Sequence, residues 1–325
     1  MDEHVAGTGP WRLALRRLRR NRVALAFGVL FLLLVALCAA APVWKEVAGR
    51  GPTSNNLAGK IELDGRKTDV VSTDGIPIGP TWGKQYFLGA DKNGRDIMVR
   101  LLYGGRNSLL IGISAALITA LLAVVVGLLA GYFRGVVDGV VRPALDVIWA
   151  FPVILLGVAL GTALAIGGLQ LGPVTISGES KLIPILVIAV VYVPYMARPV
   201  RGQVLGLRER EFVEAARAQG MGHWRTMFSE IMPNLASTIV VFFPIMVVNA
   251  VLLEAALSFL GAGVRAPEPS WGNMIEEGVD RIITAPHQAI VPGLMLVLTV
   301  LALNVFADGV RDAFDPRAKV RVAEL

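Results

Sequence analysis

Residues 107–133 read NSLLIGISAALITALLAVVVGLLAGYF, twenty-seven consecutive positions without an Asp, Glu, Lys or Arg. A helix rises about 1.5 Å per residue, so roughly 20 apolar residues cross the ~30 Å hydrocarbon layer of a bilayer. Comparable blocks occupy about 23–43, 143–167, 181–199, 235–260 and 288–307. Only helices and closed barrels span lipid without stranding backbone polar groups, and continuous blocks of this length are helical. The rest of the composition agrees. Of 325 residues 54% are hydrophobic and 17% charged, with a mean hydropathy of +0.62, whereas a soluble domain carries about a quarter charged residues. The expected class is an all-α integral membrane protein with six transmembrane helices.

The first block follows Arg16-Arg17-Leu18-Arg19-Arg20-Asn21-Arg22 and ends near Ala39-Ala40-Ala41, which superficially suggests a cleaved signal peptide. It is longer than a typical signal core of 7–15 residues, and Leu37 is too bulky before Cys38 for a lipoprotein site. An uncleaved first span is the better reading. Basic residues orient the chain. With the N-terminus inside, segments 1–22, 134–142, 198–234 and 308–325 carry 6, 2, 6 and 4 Lys/Arg, while the short outer loops 168–181 and 261–286 carry 1 and 2. The long segment 44–106 holds 10 basic residues against 7 acidic ones, and loops of that length translocate largely regardless of charge. Both termini are expected inside. The net charge of +6 is explained by these loops and does not call for nucleic acid. A single cysteine, Cys38, excludes a disulfide framework and a cysteine metal site.

The resulting plan is a basic tail over 1–22, a first span over 23–43, an outer loop over 44–106, a core of five spans over 107–308 and a tail over 309–325. Gly127, Gly131, Gly157 and Gly161 give small-xxx-small spacings that suit close helix contact.

The inner loop 198–234 is unusually long for so economical a chain. Arg208 to Gln219 is rich in helix formers, with Arg210, Glu214 and Arg217 spaced so that opposite charges can meet on one face. Gly220 follows where a left-handed cap would end the helix. Trp224, Met227, Phe228 and Ile231 then form an i, i+3, i+4, i+7 stripe, which Pro233 is expected to close. The reading is a helix–turn–helix beneath the membrane, with Ala215, Ala216 and Ala218 offering a low-relief face. An amphipathic hairpin resting on lipid headgroups is the plainer alternative. A DNA-reading helix–turn–helix is disfavoured by the tether to spans on both sides.

Glu214-Ala215-Ala216-x3-Gly220-Met221, with Ile231-Met232-Pro233, resembles the EAA loop of permeases from bacterial ATP-binding-cassette importers; Met232 stands where leucine is usual. Several further segments are similar to the C-type permease subunits of the dipeptide/oligopeptide (peptide/nickel) family. They are Leu88-Gly89-x-Asp91-x2-Gly94-Arg95-Asp96, Phe151-Pro152, Leu253-Glu254-Ala255, Pro269-Ser270-Trp271-Gly272 and Asp308-Gly309-x-Arg311-Asp312-x2-Asp315-Pro316-Arg317. Residues 45–86 lack that likeness. The resemblance implies a type I importer fold in the bacterial inner membrane and a substrate of short peptides, with nickel or glutathione as alternatives. It also implies a second permease, two ATPase subunits carrying ATP and magnesium, and an extracytoplasmic binding protein. The loop residues Glu214, Ala215, Ala216, Gly220, Met221, Ile231 and Pro233 would dock the ATPase.

The chain has no Gly-x4-Gly-Lys-Ser/Thr phosphate loop, since its one Lys-Thr pair, Lys67-Thr68, follows Arg66. It is therefore expected to be no enzyme, with no catalytic residue and no cofactor of its own. Asp91-x-Asn93-Gly94-x-Asp96 has the look of a calcium loop, but Arg95 stands at a ligand position and the glycine is one place early. A turn leading into an amphipathic outer-surface helix is preferred. His4, His223 and His287 are too scattered for a metal site. Glu254 is a costly charge within a span; it either lines a translocation path, with Phe151 and Pro152, or anchors a loop. Asp146 is expected to pair with Arg142. An ion-gradient transporter or channel would need charge relays and broken inverted repeats, neither of which is evident. A scaffold independent of an ATPase would keep the loop but would support no uptake.

Overall fold

The computed structural model describes residues 10–63 and 65–314, and is overwhelmingly helical. His4, Asp315-Pro316-Arg317 and the outer parts of both tails lie outside the described residues. An amphipathic helix α1 (Pro10–Arg20) leads into α2 (Arg22–Ala39), whose first turn is capped by Asn21 Oδ1 accepting from the Ala24 amide at 3.0 Å. A short α3 (Ala41–Ala48) follows, and then the outer loop.

That loop is not shapeless. Two antiparallel strands, β1 (Lys60–Leu63) and β2 (Arg66–Asp69), pair with Lys60 opposite Asp69. Ile61, Val70, Tyr86 and Ala90 form a small core of their own. The Asp91 segment is a charge lock rather than a calcium loop. Asp91 meets Arg95 at 2.6 Å and Arg100 at 3.2 Å, and both arginines reach Glu277 at 2.7 and 2.9 Å. Asp96 caps the next helix through the Val99 amide at 3.1 Å. Burial pushes the Asp96 carboxyl above the ordinary range, opposed by the backbone amides it accepts from.

The expected separate surface helix is corrected: α4 runs unbroken from Ile97 to Phe133, and its first turns are buried. The apolar block at 143–167 is corrected too. It is a bent pair, α5 (Gly135–Ala150) and α6 (Val153–Gly167), meeting at 92°. Pro152 lacks an amide hydrogen and forces Phe151 into extended backbone (φ −88°, ψ 140°), so α5 stops there. A small hairpin, β3 (Leu169–Leu171) and β4 (Val174–Ile176), leads to α7 (Leu182–Arg208).

Past α7 the inner loop carries α8 (Glu211–Ala218) and α9 (His223–Thr226). A π-turn over Met227–Ile231 then runs into α10 (Met232–Phe259). A buried helix α11 (Trp271–Val279) and the last span, α12 (His287–Phe314), complete the chain. Among the described residues five helical bodies are long and apolar enough to cross a membrane, and the bent pair makes six if counted as one span.

The core sits between α4, α7 and α10. A glycine seam brings α4 and α7 close together. A Cβ on Gly127 would lie 2.8 Å from Val200 and 2.9 Å from the Ala197 carbonyl oxygen; on Gly131 it would lie 2.7 Å from Val204 and 2.9 Å from the Arg201 carbonyl oxygen. Gly157 and Gly161 face Leu257 and Ala262 in the same manner. Gly202 has open space instead. Gly131→Leu is expected to destabilise the α4–α7 pair by about 1–3 kcal/mol. A thermal-aggregation scan of the detergent-solubilised full chain should show a lowered midpoint, while Gly202→Leu stays near the parent.

Candidate functional site: the inner docking surface

The inner ends of α4 and α7 meet at Tyr132. The Arg208 guanidinium donates to the Tyr132 carbonyl at 2.5 Å and stops α7 at that residue. Glu209 and Arg210 form the break, with Arg210 extended (φ −84°, ψ 146°), so α8 begins at Glu211 and not at Arg208 as expected. The Tyr132 ring is shared: Arg217 of α8 lies over it at 5.1 Å, and its hydroxyl meets His223 Nδ1 at 3.1 Å. One aromatic side chain at the tip of a span thus carries both halves of the loop.

A second brace stands beside it. Arg134 sits between α4 and α5 with φ 53° and ψ −156°, a conformation that costs a non-glycine residue about 1–3 kcal/mol. Its guanidinium pairs with Glu209, and that contact holds the Glu209 carboxyl below its usual range.

α8 ends as its sequence requires. Gly220 takes φ +81°; its amide donates to the Arg217 carbonyl at 2.9 Å, and the Met221 amide donates to the Ala216 carbonyl at 3.1 Å. These are the two bonds of a Schellman cap, and glycine adopts the left-handed turn without the penalty a Cβ brings.

Two expectations about the faces are corrected. Val213 and Ala216 point inward, so the exposed face is Glu211, Phe212, Glu214, Ala215 and Ala218, and the three alanines do not share one surface. Among the described residues Glu214 forms no ion pair with Arg210 or Arg217; Arg217 is spent on Tyr132. The apolar stripe divides in the same way. Met227 and Ile231 are fully buried, while Trp224 and Phe228 are exposed and stack at 6.4 Å with 18° between their planes. Pro233 does not close the second helix. It lies in the first turn of α10, where a missing amide hydrogen is tolerated, and the helical body runs from His223 to Phe259.

The remaining candidates are placed as follows. Glu254 is completely buried near the outer end of α10. Its Oε1 accepts from the Ser258 hydroxyl at 2.7 Å, and Ser258 Oγ in turn accepts from the Val264 amide at 2.9 Å. Of its two readings the geometry supports loop anchoring. Phe151 and Pro152 are exposed at the bend. Asp146 pairs with Arg198 of α7 at 2.7 Å rather than with Arg142, an inter-helix partner that no spacing within α5 could reveal. Tyr132 and Arg134 were not singled out from the sequence; the signal available was the basic residue directly after an apolar run.

The result is an exposed helix pair between two spans, braced on Tyr132 and Arg134. With six apolar spans at most among the described residues, the architecture is that of a multi-span helical membrane protein.

The comparisons agree. Residues 123–320 match the model for the inner membrane component of binding-protein-dependent transport systems, and residues 9–57 match that for the N-terminal transmembrane domain of oligopeptide transport permease C. The chain belongs to this family of binding-protein-dependent transport permeases, components of ATP-binding-cassette importers. The chain is 36% identical over 310 residues to a glutathione transport system permease protein of Pectobacterium atrosepticum, covering 95% of this chain and 92% of that protein. It is 32% identical over 318 residues to a dipeptide transport system permease protein of Alkalihalophilus pseudofirmus, covering 98% and 93%. A solved structure of the MetNI methionine ABC transporter, in inward-facing conformations, matches with a TM-score of 0.52 at 18% identity over 67% of this chain and 97% of that one, which shows the shared fold.

Gly220→Val is expected to cost about 1–2 kcal/mol at the left-handed position. Hydrogen exchange of the Gly220 and Met221 amides should speed up accordingly, and Gly220→Asn should exchange close to the parent.

Proposed function

We propose that this chain is one permease half of an ATP-driven importer carrying short peptides across the bacterial inner membrane. Its partners are a second, homologous permease, two ATP-binding-cassette ATPase subunits and an extracytoplasmic substrate-binding protein. The observation that carries the proposal is the exposed face of α8, capped at Gly220 and braced on Tyr132 at the ends of two spans.

Glu214, Ala215, Ala216, Gly220, Met221, Ile231 and Pro233 form the ATPase-docking element, in two roles. Glu214 and Ala215 present the contact face, and buried Ala216 and Ile231 hold it to the bundle. ATP and magnesium bind to the partner ATPases, and this chain binds no cofactor. Both termini and the α8–α9 loop face the cytoplasm; the 44–106 segment faces outward, in keeping with the basic residues of the inner loops. Short peptides are the cargo named for one relative, and glutathione, itself a tripeptide, for another. Peptide chemistry is therefore favoured over nickel. An ion-gradient transporter leaves the α8 surface without a purpose.

Glu214→Arg, or Gly220→Pro, is expected to abolish peptide uptake while the chain remains inserted in the membrane at parental levels. Uptake of labelled dipeptide by cells carrying the whole transport system measures it. Normal uptake by both variants overturns the docking assignment.

A further inference from the structure

Charge is scarce in the spans, yet α5 and α7 bring five charged groups together on an open face. On α5, Asp138, Arg142 and Asp146 fall at i, i+4 and i+8. On α7, Tyr192, Tyr195, Arg198 and Arg201 follow an i+3 ridge. The two rows meet. Arg201 grips Asp138 with two bonds of 2.5 Å, and Arg198 holds Asp146 at 2.7 Å while lying 5.1 Å over the Trp149 ring. Tyr195 packs beside Trp149 at 6.2 Å and against Tyr192 at 6.4 Å.

These groups are not sealed in the core. The Arg198 and Asp146 side chains are 39% and 54% exposed. An open groove of about 730 Å³ runs along the same face of α5, lined among others by Asp138, Arg142 and Asp146. Ionised groups within spans face a bundle interior or water because hydrocarbon offers them no hydration. Other open grooves on this molecule, between α1, α10 and α12 and beside α2, are lined almost wholly by apolar side chains and suit lipid.

We propose that the α5–α7 face is the wall of the water-filled inner half of the translocation path. Its charge selects solutes bearing a carboxylate. The two ion pairs cancel, and Arg142 is exposed and without an ion-pair partner among the described residues, so the groove keeps one net positive charge. That charge attracts the carboxylate of a short peptide and repels a metal cation. The aromatic row Trp149, Tyr195 and Tyr192 continues the face with surfaces that accept varied side chains. The proposal deepens the importer reading and rests on it for the identity of the solute, but the test of the wall needs neither ATP nor transport.

The test uses the natural shortage of thiols. In a Cys38→Ala background, Val147→Cys and Ala150→Cys place thiols in the groove, and Leu33→Cys places one on the exposed apolar side of α2. Inside-out vesicles holding the complete transporter are treated with membrane-impermeant methanethiosulfonates, one bearing a sulfonate and one a trimethylammonium. The groove thiols are expected to react at least about tenfold faster than Cys at 33, because only a hydrated site supports the thiolate. The sulfonate reagent should be favoured about threefold or more by the local field relative to its rate with a small free thiol. Arg142→Glu, an exposed and unpaired position, should reverse that preference. Groove thiols as slow as Cys at 33 overturn the aqueous wall, and a preference unchanged by Arg142→Glu overturns the charge selection. Either result leaves the docking assignment at Glu214 and Gly220 to its own uptake test.

Discussion

The close approach of α4 and α7 is the constraint from which the inner half of this molecule follows. Lipid tails are as apolar as leucine, so burial from water does not drive helices together inside a bilayer; packing contact does. Glycines at 127 and 131 let the α7 backbone into van der Waals range. With the two helices locked along that seam, their inner ends fall side by side, and Tyr132 reaches both the Arg208 end of α7 and the return of the loop at His223. A wider spacing would leave Arg217 without the ring that receives its charge and α8 without a floor.

The outer half is held by a different force. Asp91, Arg95, Arg100 and Glu277 are buried or nearly so, and join the loop before α4 to α11 across a long stretch of sequence. Two cations facing two carboxylates satisfy one another, whereas removing one would strand the rest at a cost of about 3–5 kcal/mol. Trp271 is fixed from the same side, its indole donating to the Leu101 carbonyl at 3.1 Å. Packing thus sets the geometry at the end that carries α8 and α9, and charge sets it at the opposite end.

Much of this was legible in the chain itself, for definable reasons. Block length alone predicts the spans, and a glycine placed directly after a run of helix formers predicts the cap at Gly220. What stays hidden has definable causes too: an apolar block reports that a segment is buried or in lipid, and says nothing of its direction. Residues 143–167 look like one span because Phe151 and Pro152 are as compatible with lipid as their neighbours, and only the backbone rule at Pro152 betrays the bend. Pro233 suits a helix end and a helix beginning equally, because proline is tolerated in a first turn. The stripe from Trp224 to Ile231 presumes a 3.6-residue helix, but a π-turn winds more slowly and separates Trp224 and Phe228 from Met227 and Ile231. Partners such as Arg198 for Asp146 lie more than fifty residues apart, beyond any local spacing.

The continuity of the helix through Pro233 changes how the inner loop must act. A hairpin closed at that proline would be a detachable pad, able to shift without moving the span behind it. Here a push on His223 or Trp224 is applied to a single helical body of 37 residues, roughly 55 Å long if straight. The π-turn and Pro244 are its points of least backbone bonding, so any flexing concentrates there. At its far end Glu254 and Ser258 clamp the turn toward Val264, joining the outer end of α10 to the loop before α11. Displacement at the α8–α9 end of this body therefore has a covalent route to the opposite end, and the buried carboxylate is where that route is fastened.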